Sequence, residues 1–294
     1  MIEHPFHGTI TALITPFKND ELDLDALAKL IEHQIKGGIK AIILGGSTGE
    51  GVTLSIEEYF AFISEAITIS RGRLKIIAGC SSSSTKAAIS MLSGAERLGV
   101  DAIMCMTPPY NRPSQEGLYR HFKAVHDATN LPIMLYTFPP RTGVNFDDET
   151  ILKLAQLPRI VALKDFDVER TLRLSVKLPS FALMSGDDMN ALTNLVHGGS
   201  GIISVVSNIL PVEVDAIQEA WDKNDTRLAL TLHQKLLPIY KALFVESNPV
   251  PVKYVASLMD LCSPEVRLPL CELTTTNKEI LSGSLNHLAP KQIW

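Results

Sequence analysis

The chain has 294 residues, 46% hydrophobic and 20% charged, with a net charge of −5. That is the profile of an ordinary globular protein with ample core, and the absence of a basic run excludes nucleic acid or an anionic membrane surface as partner. No apolar stretch is long enough to span a bilayer, and residues 1–5 carry an acid and a proline where a secretory signal is basic and then apolar.

The four cysteines, Cys80, Cys105, Cys262 and Cys271, form no C-x-x-C pair. That usage fits a reducing cytoplasm better than a disulfide framework. Among the eight histidines, His4/His7 and His121/His126 are the closest pairs, and both read as surface histidines rather than ligands. Neither a metal nor a cofactor is expected.

Taken in order, short β-rich runs alternate with longer amphipathic ones. Strands are predicted at 9–14, 41–44, 74–78, 102–106, 133–136, 160–164, 181–185 and 201–205. Helices are predicted at 24–36, closed by Gly37-Gly38, and at 56–69, which opens on the capping box Ser55-x-x-Glu58. Further helices read at 85–98, closed by Gly99, and at 116–128. Beyond Pro211 only helices remain, at 212–221, 226–244, 252–261 and about 277–287. Strands each followed by a helix-length segment predict an α/β fold, a (β/α)8 barrel of the TIM type. The division expected is a catalytic barrel at 1–222 and a C-terminal helical extension at 223–294.

In such a barrel, functional groups sit at the C-terminal ends of the strands. Lys40 and Lys75 lie at strand starts and Lys18 in a polar loop, so Lys164, ending the apolar run Ile160-Val161-Ala162-Leu163, is the lysine on the functional face. Burial lowers an amine's pKa and makes it a Schiff-base nucleophile. The competing reading is a lysine neutralised by Asp165 or Asp167.

The second strand empties into Gly45-Gly46-Ser47-Thr48-Gly49-Glu50. Glycines flanking two hydroxyls suit an oxyanion, but Glu50 and the missing G-K-[ST] ending favour a carboxylate over phosphate. Alternatively, Glu50 anchors the loop by accepting N–H bonds. The fourth strand leads to Tyr110, and the fifth ends in Tyr136 ahead of Pro139-Pro140-Arg141. Beside an imine-forming lysine, a tyrosine can move the protons that imine chemistry requires, and the Arg141 fork suits a carboxylate. In Ser185-Gly186-Asp187-Asp188 the aspartates read as helix-capping and structural.

These motifs, with Asn111-Arg112-Pro113-Ser114-Gln115-Glu116-Gly117 and Phe244-Val245-Glu246-Ser247-Asn248-Pro249, resemble the dihydrodipicolinate synthase/N-acetylneuraminate lyase superfamily along nearly the whole chain. The likeness is greatest to its synthase branch, which joins pyruvate to aspartate 4-semialdehyde on the diaminopimelate route to lysine. It implies that Lys164 forms the pyruvate imine and Tyr136 is the proton donor. Ser47 and Tyr110 would complete a relay, with Tyr110 reaching in from a neighbouring subunit. Thr48 and the backbone at Ile203 would hold the pyruvate carboxylate, Arg141 would bind the semialdehyde, and Gly186 counts among the substrate-binding positions. A homotetramer built as a dimer of dimers is implied too.

The chain departs from the pattern at Ser47, usually threonine in the synthases, at Thr137 after Tyr136, and at Asp165 after Lys164. The alternatives are a sibling aldolase that cleaves a sugar acid such as N-acetylneuraminate, or a barrel that binds carboxylates without turnover. Relatives sensitive to lysine bind it through histidines, an asparagine, a glutamate and a tyrosine. The matching positions here are Ile56, Tyr59, Ser83, Ala87 and Pro109, which implies insensitivity to lysine.

Overall fold

The computed structural model describes residues 5–286. Its strands and helices run β1 (Gly8–Ala12), β2 (Phe17–Lys18), β3 (Glu21–Leu22), α1 (Leu24–Lys36), β4 (Ala41–Leu44), α2 (Ile56–Ser70), β5 (Lys75–Gly79), α3 (Thr85–Leu98), β6 (Ala102–Met106) and α4 (Gln115–Asp127). Then follow β7 (Ile133–Tyr136), α5 (Pro139–Thr142), α6 (Asp148–Leu154), β8 (Ile160–Asp165), α7 (Val168–Lys177), β9 (Ala182–Ser185), α8 (Ala191–Val196) and β10 (Gly201–Ser204). Helices α9 (Pro211–Asp222), α10 (Thr226–Ala242), α11 (Val250–Leu258) and α12 (Thr275–Asn286) complete the chain. The predicted end of the last helix at His287 lies outside the described residues.

Eight strands close into a barrel in the order β1-β10-β9-β8-β7-β6-β5-β4, the TIM architecture the alternation predicts. All eight are almost wholly buried, which is why they read as continuous apolar runs rather than alternating ones. The chain divides into two compact units, Met1–Gly8 with Lys75–Ile203 and Thr9–Leu74 with Ser204–Trp294. No helix among the described residues is long and apolar enough to cross a membrane.

In the first unit, parallel pairing carries β5 to β6, β6 to β7, β7 to β8 and β8 to β9. This register sets Tyr136 beside Lys164, and Lys164 beside Met184. Register partners on adjacent strands face the same side of a sheet, so the tyrosine and the lysine share a face. Helix α4 buries Leu118, His121, Phe122, Val125 and His126, one stripe at helical spacing. His121 and His126 are therefore buried, not surface residues as the sequence suggested. His121 bonds Thr85 Oγ1 through Nδ1 at 2.9 Å, and burial pushes its pKa down to about 4.

In the second unit, β1 stops at Ala12 although the apolar run continues to Ile14. The Ile14 N–H donates instead to Asn208 Oδ1 at 3.0 Å, which takes it out of the ladder. The sequence also gave no warning of the ribbon β2–β3. Its turn residues Asn19 and Asp20 have φ of 56° and 64°, the left-handed pair that a two-residue hairpin requires. Helix α2 opens on the expected capping box: Glu58 N–H donates to Ser55 Oγ and Ser55 N–H to Glu58 Oε2.

Candidate active site

Lys164 is the penultimate residue of β8 and is 7% exposed. Its Nζ lies 4.4 Å from the centre of the Tyr136 ring and 5.9 Å from that of Phe166. Phe166 packs on Phe138 with ring centres 4.3 Å apart, so aromatic rings wall the amine. Burial is the main reason its pKa falls from the usual lysine value to about 8; the Arg141 charge lowers it further and Asp188 opposes both. A substantial neutral fraction at physiological pH is what a nucleophilic amine needs.

Neither neighbouring aspartate neutralises it. Asp165 takes Arg170 Nη1 at 2.5 Å and caps the backbone N–H groups of Phe166 and Asp167. Asp167 accepts from Arg170 N at 3.0 Å as the N-cap of α7. The carboxylate that acts on Lys164 is Asp188, only 1% exposed. Sequence reasoning took both aspartates of the pair as structural. That holds for Asp187, which caps Met189 N at 3.0 Å, but misses Asp188. Nothing local separates a capping Asp from a buried one next to it.

Arg141 lies in the short helix α5, held after Pro139-Pro140 by Arg141 N–H donating to Phe138 O at 2.9 Å. Tyr110 is 90% exposed, and its φ of 72° is unusual for a bulky residue. Its N–H donates to Thr142 O at 3.3 Å, which ties its loop to α5. Gly186 donates to Asp165 O at 2.7 Å, and a Cβ there would stand 2.5 Å from the Phe166 ring, so only glycine fits. Ile203 is fully buried in β10.

The second unit carries Ser47 and Thr48 in the loop after β4. Gly45 has φ 67°, and a Cβ on Gly51 would meet Gly45 O at 2.1 Å, so the glycines let the loop fold tightly on itself. Ser47 is half-buried and its carbonyl accepts Glu50 N at 3.2 Å. Thr48 is buried, and its Oγ1 accepts Asn248 Nδ2 at 2.9 Å. Glu50 does anchor the loop, through Arg267 N at 3.0 Å and Lys253 Nζ at 2.6 Å. Lys253, fully buried, was missed, although a lysine inside the apolar run Val250–Leu258 is itself a signal.

Residues 5–288 match the dihydrodipicolinate synthetase family. A 4-hydroxy-tetrahydrodipicolinate synthase of Rickettsia bellii is 49% identical over 97% of this chain and 98% of its own. The structure of the corresponding synthase of Methylacidiphilum fumariolicum superposes with a TM-score of 0.94 at 41% identity, covering 96% of this chain and 95% of that one. A chloride-inhibited dihydrodipicolinate synthase of Acinetobacter baumannii, complexed with pyruvate, superposes with a TM-score of 0.94 at 40% identity, over 96% of this chain and 99% of that one. The chain belongs to the dihydrodipicolinate synthetase family.

Proposed function

We propose that the protein is a 4-hydroxy-tetrahydrodipicolinate synthase, a Schiff-base lyase that condenses pyruvate with L-aspartate 4-semialdehyde in lysine biosynthesis. The observation that carries the reading is Lys164, buried against Tyr136 with a pKa of about 8, in a chain 49% identical to a synthase of that name. The relatives described above are synthases, and none favours a sugar-acid lyase or a barrel without turnover.

In this reading the neutral Lys164 amine adds to C2 of pyruvate, and loss of water leaves a protonated imine. The imine draws electrons from C3, which releases a proton and becomes the enamine carbon. That carbon attacks the aldehyde of the semialdehyde, whose oxygen takes up a proton. The amine of the second substrate then attacks C2, closing the ring and freeing Lys164. Tyr136 moves the protons, with Ser47 and Tyr110 as its relay. Thr48 and the Ile203 backbone receive the pyruvate carboxylate, Arg141 receives the semialdehyde carboxylate, and Gly186 keeps the wall beside Phe166 open to substrate.

The same reading makes the enzyme a cytoplasmic homotetramer. Supporting it, Tyr110 is 90% exposed, as a hydroxyl serving a neighbouring subunit is. The adjoining helices α7 and α8 also expose Leu172, Val176 and Val196 at 51%, 82% and 62%, a patch suited to a second copy. The function is tested with pyruvate and borohydride, which should fix one pyruvate on Lys164 and none on Lys164→Ala. A label on another lysine sinks the mechanism. Release of the cyclic product with aspartate 4-semialdehyde, and not with sugar-derived aldehydes, checks the second substrate.

A further inference from the structure

Glu50 stands two residues after Thr48, and an unpaired carboxylate there would repel the anion that the Ser47–Thr48 loop is built to receive. The pairing around it removes that conflict. Glu50 is 3% exposed and Lys253 is 0% exposed, with Nζ 2.6 Å from Oε1. The same Nζ donates to Glu265 O at 2.6 Å and lies 4.3 Å from the centre of the Phe17 ring. Among the described residues, the donor to Glu50 Oε2 is a backbone one, Arg267 N at 3.0 Å. The Arg267 guanidinium lies on the other hand against Glu58 at 2.5 and 2.8 Å and Asp20 at 2.9 Å. The Glu265 carboxylate accepts the Asn19 and Asp20 N–H groups. Among these cations, Lys253 is therefore the one whose charge is spent on Glu50.

We infer that Lys253 is a positioning residue of the synthase reaction: by neutralising Glu50 inside the protein, it makes the Ser47–Thr48 loop able to take the pyruvate carboxylate, while Asn248 sets the direction of the Thr48 hydroxyl. A buried pair is little screened by salt or water, so its balance reaches a ligand a few residues away. The inference rests on the reading that Thr48 receives that carboxylate.

The two partners have opposite expected effects, which a merely structural role does not produce. Lys253→Met leaves the Glu50 carboxylate without its countercharge beside the ligand, so the pyruvate concentration for half-maximal borohydride trapping should rise about tenfold. Turnover at saturating pyruvate should change less. Glu50→Gln leaves the lysine, so half-saturation should fall or hold. The double variant Glu50→Gln/Lys253→Met, which removes both charges, should return within about threefold of the parent protein. If both single variants raise the half-saturating concentration, or Lys253→Met leaves it unchanged, the inference is overturned. If Lys253→Met does not accumulate as folded protein, Glu50→Gln and the double variant decide, and a tenfold rise in either overturns the inference. Absence of trapping in the parent protein removes the functional reading and this inference with it, whereas normal trapping with variants that shift together removes this inference alone.

Discussion

The Lys164 amine titrates near 8 because burial disfavours its ammonium, while Asp188 and Arg141 pull its pKa in opposite directions. Imine formation needs the neutral amine, whose share grows as pH rises through that value. Trapping of pyruvate should therefore accelerate from about pH 7 and level off above about pH 9. Asp188→Asn removes the group that favours the ammonium, so the inflection should move to lower pH. Arg141→Met removes one that disfavours it, so the inflection should move up. A profile that is flat across this window, or shifts of the opposite sign, would contradict the assignment. The carboxylate-binding role proposed for Arg141 is separable from this one. With Arg141→Ala, imine formation should persist while product formation falls by the about 2–3 kcal/mol that a charged hydrogen bond contributes. Lys164 and Tyr136 were legible because strand ends can be read from apolar runs. Asp188 was not, since its burial is decided by chain far from it in sequence.

The loops after β7 and β8 meet in one polar cluster. Thr137 Oγ1 donates to Asn145 Oδ1 at 2.9 Å, and Asn145 Oδ1 also takes Arg170 Nη1 at 3.3 Å. Arg170 completes the link through Asp165 at 2.5 Å, Phe146 O at 2.9 Å and Asp148 at 3.0 Å. Thr137 is thus joined through Asn145 to the guanidinium that holds Asp165, and Thr137 and Asp165 each directly follow a residue of the candidate site. Arg170→Met leaves the Asp165 carboxylate buried without its countercharge and should lower unfolding stability by about 3–5 kcal/mol. Arg170→Lys keeps the charge but loses the fork, and should cost less. Urea titration of both variants checks the order, and equal losses would mean that packing rather than charge holds the cluster. Helices with caps in sequence, such as α1 and α3, were legible to the residue. The ribbon β2–β3 and the turn α5 were not: strands of two residues and a helix of four carry no period to read.

At the scale of the whole molecule, the resemblance bears on regulation by lysine. Of the positions that the resemblance sets against the lysine site of sensitive relatives, Tyr59 is 1% exposed, and the Ser83 hydroxyl donates to Pro109 O at 3.0 Å. No carboxylate stands at 56, 59, 83, 87 or 109 to receive an ammonium, and an ammonium stripped of water without a countercharge binds poorly. Activity should therefore be unchanged at about millimolar L-lysine, because a ligand that does not bind shifts no equilibrium. Half-inhibition below that concentration would show another site. The barrel alternation was legible as far as β10, whereas the pair Glu50–Lys253 was not, because no local pattern links residues 203 apart. That separation has a consequence for the order of synthesis. Asn248, Lys253 and Arg267 follow the groups they hold by 200, 203 and 217 residues. The ribosome makes the Ser47–Thr48 loop well before the anchors that hold it. A nascent chain stalled at Phe244 should trap no pyruvate, however much of its barrel has formed, and the capacity to bind substrate arrives only once Asn248, Lys253 and Arg267 have been translated.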